Sequence, residues 1–130
     1  MKTIIPKILI FSVLVLHVIS YDLSQLQDFS TLEFPPNHAV SITNPLLWTV
    51  HVSCSVQSSD ASDVLVGKVD RGSATINGQN VTTGTEVEVQ NGGNLVITAS
   101  KLGKFEITNL GQNTVVTHCG LSNNLKFLEY

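Results

Sequence analysis

Val50, Val52, Cys54 and Val56 alternate with His51, Ser53 and Ser55, and Trp48 and Thr49 carry the same period back toward the N-terminus. A two-residue period sends successive side chains to opposite faces of a strand, so this segment predicts a strand with one buried face and with Trp48 and Cys54 both turned inward. The same pattern predicts strands over 39–43, 64–69, 104–108 and 114–119, the last with Val115, Thr117 and Cys119 on one face. Val87 and Val89 alternate with Glu86, Glu88 and Gln90, and Leu95, Ile97 and Ala99 follow across Asn91-Gly92-Gly93. Glycine supplies the positive φ of a tight turn, so 85–100 reads as a hairpin. In that hairpin the glutamates would face Asn94, Val96 and Thr98. Turn signals recur at Asn77-Gly78, Gly84 and Asn109-Leu110-Gly111, and no long helical period runs through residues 21–130. The pattern predicts an all-β antiparallel β-sandwich of about seven short strands, immunoglobulin-like in general form, with a small barrel as the second choice. Residues 21–38 read as an irregular arm, broken at Pro35-Pro36, in which Leu23, Leu26 and Phe29 at helix-like spacing fit a short helical turn or a loose arm equally well, and 121–130 as a tail whose Leu125 and Phe127 could pack on the body.

The first twenty residues do not belong to that pattern. Lys2 and Lys7 precede an apolar run from Ile8 to Ile19, and Ser20 follows Val18 at the spacing a signal peptidase favours. The run is well short of the ~20 residues that a membrane-crossing helix needs, so residues 1–20 read as a signal peptide cleaved before Tyr21. The alternatives are a membrane anchor or a buried N-terminal helix. Cleavage leaves residues 21–130 as one domain, exported to the periplasm or secreted. It removes two of the seven basic side chains and none of the ten acids, which leaves a net charge of about −5. Such a surface repels phosphate backbones, so no nucleic-acid partner is expected, and with no spanning segment no membrane partner is expected either.

Two cysteines in an exported chain predict a Cys54–Cys119 disulfide, with a pair of buried free thiols as the rival reading. Neither cysteine lies in a Cys-x-x-Cys motif, which argues against a redox pair. The wide spacing invites comparison with the immunoglobulin fold. However, Trp48 precedes the first cysteine, and Thr117 occupies the place of the tyrosine corner.

Asn44-Pro-Leu-Leu-Trp-Thr-Val50 with Cys54, Ile76-Asn-Gly78, and Ile107-Thr-Asn-Leu-Gly111 with Cys119 together span most of the domain. In these segments the chain resembles small exported proteins of unknown function from intracellular-pathogenic gamma-proteobacteria. The resemblance implies a periplasmic or secreted β-domain and carries no activity.

Candidate chemistry is sparse. His51, Cys54, His118 and Cys119 are favoured zinc and copper ligands, but strand alternation turns the histidines away from the inward cysteines. If the two strands were neighbours in one sheet, His51 and His118 would share an outer face, and a weak metal or pH-sensing pair could form. Asp60 and Asp63, among Ser58, Ser59 and Ser62, offer oxygen ligands without the glycine and bidentate glutamate of a calcium loop. Glu86 and Glu88 form a carboxylate pair on one strand face, better suited to solubility and edge protection. No Gly-x-Ser-x-Gly elbow is present, and Asp70-Arg71-Gly72-Ser73 reads as a polar turn. Asn80-Val81-Thr82 fits a glycosylation sequon, which has meaning in a eukaryotic source only.

No catalytic, metal or cofactor-binding residue is therefore assigned; the disulfide pair is the one site. The function expected is a non-catalytic interaction module that binds a protein or glycan through loops such as 57–63 or through an exposed strand edge. The alternatives are a small secreted hydrolase, with a site gathering His38, His51 or His118 beside an acid, and a structural envelope protein.

Overall fold

The computed structural model describes residues 19–26 and 30–121. Nearly all of the signal-peptide reading and the tail beyond Leu121, including Leu125 and Phe127, lie outside those residues. The described chain forms eleven strands, several of them only two or three residues long. These are β1 (Ser20–Asp22), β2 (Ser30–Phe34), β3 (Ala39–Thr43), β4 (Val50–Gln57), β5 (Ser62–Arg71), β6 (Ala74–Ile76), β7 (Gln79–Asn80), β8 (Thr83–Gln90), β9 (Asn94–Ala99), β10 (Lys104–Asn109) and β11 (Val115–Leu121).

Two sheets pack face to face. One has the order β1-β3-β10-β5-β8 and the other β2-β11-β4-β9-β6-β7. Both have open edges, so the architecture is a sandwich and not a barrel. All pairings are antiparallel except β1 with β3. The inward phase of each strand supplies the core: Val50, Val52 and Cys54 from β4, Leu65 from β5, Val87 and Val89 from β8, Leu95 and Ile97 from β9, and Phe105 and Ile107 from β10. Burial of these apolar faces on both sides of one layer is the main stabilising term.

Three expectations need correction. The segments around Asn91-Gly92-Gly93 do not form a hairpin: β8 pairs with β5, and β9 with β4 and β6, in opposite sheets. The turn is an arch between sheets. Val87 and Leu95 both point into the core, as they would in a hairpin, and Gly92 has the anticipated positive φ of 85°. The backbone amides of Asn91 and Gly92 reach across to Ala61 and Val56. The glutamates consequently stand opposite Val66 and Val64, not Thr98, Val96 and Asn94.

Trp48 is not in the core. Strand β4 starts at Val50, and Trp48 lies in the preceding loop, 58% exposed. The stretch read as an irregular arm contains β2, which lies at the edge of the six-stranded sheet against β11 and buries Leu32 and Phe34.

Cys54 and Cys119 are direct partners across β4 and β11, with an S–S bond of 2.03 Å and Cα atoms 4.0 Å apart. The bond is buried, as the inward phase predicts. It joins neighbours within one sheet, whereas the immunoglobulin disulfide spans two.

Candidate binding surfaces

The loops gather at two ends of the sandwich. One end carries 44–49, 72–73 and 100–103; the other carries 58–61, 91–93 and 110–114. At each end a buried asparagine fastens the loops. Asn109 donates from Nδ2 to the carbonyls of Phe34 and Asn113, both at 2.8 Å, and its Oδ1 accepts from the Gly111 amide at 2.7 Å. At the other end Asn44 donates from Nδ2 to the carbonyls of Trp48 (2.9 Å), Ala99 (3.2 Å) and Ser100 (2.9 Å), and its Oδ1 accepts from the Leu46 amide at 3.0 Å. Asparagine suits the role because it carries donors and an acceptor on a short stem and closes a turn on the amide two residues on.

The Asn109 end is acidic. Asp60, Asp63 and Glu86, far apart in sequence, line one recess of about 430 Å³ over β5, closed by Leu110, Gly111 and Gln112. Beside it runs β8, an open edge strand with Glu86 and Glu88 exposed. Asp60 accepts from Asn113 Nδ2 at 2.8 Å, and Asp63 Oδ2 accepts from the Ser58 hydroxyl at 2.7 Å. Asp63 is 4% exposed and its Oδ1 has no hydrogen-bond donor facing it. Burial pushes the Asp63 carboxyl above the ordinary carboxylate range, while hydrogen bonds from Asp63 and Asn113 hold Asp60 below it. Of these two neighbouring carboxyls, Asp63 is therefore the one that holds its proton to higher pH. Gly111 is required here: a Cβ at that position would collide with Asp63 Oδ1 and lie 3.0 Å from Asn109 Oδ1.

The Asn44 end is apolar and basic. Leu47 is 71% exposed, Trp48 58% and Leu102 44%. Their loops are tied together, since the Leu102 amide donates to the Leu46 carbonyl at 3.0 Å and the Asn44 amide to the Gly103 carbonyl at 2.8 Å. Arg71 Nε donates to the Leu102 carbonyl at 2.6 Å, and Lys101 and Lys104 flank Leu102 in the chain. Sequence reasoning missed this surface because it placed Trp48 in phase with the core; the available signal was Asn44-Pro45, which ends one strand too close to Trp48 for it to belong to the next.

The histidines stay apart. β4 and β11 are neighbours, so His51 and His118 do share the outer face of one sheet. However, His118 stands opposite Ser55, four residues along β4 from His51, or roughly 13 Å of strand. His51 contacts Thr98, His118 contacts Thr31 and Gln57, and His38 donates from Nδ1 to the Pro36 carbonyl. Among the described residues none of the three bonds a carboxylate. Among the described residues no group of three or more His, Cys, Asp or Glu side chains is placed to hold a metal ion, and no helix is long and apolar enough to cross a membrane. Asn80 is exposed on β7, and 70–73 ends β5 in a turn held by the Ser100 hydroxyl on the Ser73 amide. No family model matches the chain, and a search of curated proteins finds no relative.

Proposed function

We propose that this protein is a non-catalytic interaction module acting outside the cytoplasm, and that it engages a protein partner along β8 and the acidic recess beside it. The observation that carries the reading is the meeting of Asp60, Asp63 and Glu86 in one recess next to a strand edge that has no partner among the described residues. An extended segment added to β8 would use the free backbone groups of that edge, and Glu86, Glu88 and Asp60 favour one with lysine or arginine side chains. Placement outside the cytoplasm draws support from the formed disulfide, the leader-like first twenty residues and the resemblance to exported β-domains.

A photo-reactive side chain at position 88 in producing cells tests the reading. A protein adduct is expected, and it should disappear when Asp60 and Glu86 are replaced by Asn and Gln. An adduct that persists unchanged in that variant, or no adduct at all, would refute the assignment.

A further inference from the structure

The geometry points to a second surface at the opposite end: a membrane-contacting tip in which Leu47, Trp48 and Leu102 enter the interface of an anionic bilayer. This goes beyond the partner site on β8 and does not depend on it. Three observations combine.

The first is apolar exposure on a braced support. Leu47 and Trp48 project from a loop whose backbone is fixed by Asn44, itself 0% exposed, and Leu46 beneath them packs on the core. Loop residues left to solvent are usually polar, and a tryptophan beside aliphatic side chains is the composition found at membrane interfaces. The second is backbone strain. Leu102 has φ 56°, in the left-handed region where glycine is at ease and leucine is not. A large apolar side chain is thus presented at a turn position where the backbone alone would favour its removal.

The third is charge. Of the four basic side chains in the described residues, Arg71, Lys101 and Lys104 lie at this tip. The fourth, Lys68, stands opposite Glu106 and within 4.0 Å of Asp70. Among the described residues Asp22 and Asp70 are the acids at the same end, Glu106 stands opposite Lys68 two residues from Lys104, and Asp60, Asp63 and Glu88 lie toward the far end. An anionic surface therefore attracts the tip, repels the opposite end and orients the molecule with β8 directed away from the bilayer. Peripheral contact of this kind needs no spanning segment. It revises the expectation that the processed chain has no membrane partner.

Trp48 is the sole tryptophan, so its emission reports the tip directly. The processed, oxidised protein recovered from expressing cells is mixed with vesicles of phosphatidylcholine alone or with about a third phosphatidylglycerol. Trp48 emission is expected to move to shorter wavelength with the anionic vesicles only, and high salt should reverse the shift. Leu102→Gly relieves the backbone strain, so its unfolding midpoint should not fall while vesicle affinity falls about tenfold, the effect of losing one partly buried leucine. Lys101→Glu with Lys104→Glu should weaken vesicle binding at least as much, and Glu86→Lys with Glu88→Lys should leave it intact. No emission shift with either vesicle, an equal shift with both, or full affinity in Leu102→Gly overturns the inference, and none of these results bears on adduct formation at β8.

Discussion

Replacing Asn44 by alanine should unfasten the apolar end of the sandwich at a calculable cost. The side chain is fully buried and makes four hydrogen bonds, of which the three from Nδ2 share two protons. Alanine leaves the Leu46 amide and the carbonyls of Trp48, Ala99 and Ser100 without that partner, and water reaches only some of them. With net hydrogen-bond contributions of ~1 kcal/mol and a further penalty for each buried group left unmet, the loss comes to about 3 kcal/mol. For a domain of this size that is a fall in Tm of roughly 12–20 °C. Asn44→Asp sharpens the test. It keeps an acceptor for Leu46 but brings a carboxylate against three carbonyl oxygens, so it should destabilise more than alanine does. Urea unfolding followed by far-UV circular dichroism and by Trp48 emission measures both variants. An alanine variant within ~1 kcal/mol of the parent, or an aspartate variant more stable than the alanine one, would refute the bracket as the element that holds these loops.

Three further outcomes follow from the same geometry. Removing the disulfide by Cys54→Ala with Cys119→Ala should lower stability by up to ~4 kcal/mol, the chain-entropy value for its 65-residue separation; a change in urea midpoint equivalent to under ~1 kcal/mol would show that the closed loop contributes little. Gly111→Ala should cost about 1–3 kcal/mol by overpacking against Asp63 and Asn109, and a double-mutant cycle with Asp63→Ala should recover part of it, whereas additive losses would place the clash elsewhere. Because Asp63 holds its proton more tightly when folded than at its ordinary 3.8, the native state binds more protons just above that pH, and its contribution to stability falls as pH rises through the window from 3.8 to the raised value. Asp63→Asn removes that loss, so its stability relative to the parent should climb with pH across the window in urea titrations, and a flat or falling difference would contradict a carboxyl raised by burial.

How much was legible in the sequence differs between the strands and their partners. Period-2 alternation located β4, β8, β9, β10 and β11, because a half-buried strand imprints its inward phase residue by residue. The cysteines were legible for the same reason. Pairing was not. Val87 and Leu95 face the core whether β8 and β9 share a sheet or stand across from each other, and Gly92 serves a hairpin and an arch equally well. That one ambiguity hid the acidic recess, since Glu86 reaches Asp60 and Asp63 only when β8 pairs with β5. Strand β2 escaped because Ser30–Phe34 is short and lies next to two prolines, so its pairing beside β11 is a tertiary effect. Trp48 was misplaced because periodicity says nothing about where a strand starts, and the Asn44 bracket, built from contacts 55 and 56 residues away, sets that boundary.

The disulfide between β4 and β11 has a consequence for the order of events during synthesis. Cys54 leaves the ribosome when only the fourth of the eleven strands is being made, but its partner strand is the last described one in the chain. Until Cys119 emerges, the centre of the six-stranded sheet has an open place beside β4 and a free thiol in it. The window for mispairing or for capture by another thiol therefore spans the synthesis of 65 residues, half of the chain, and it closes only when β11 inserts between β2 and β4.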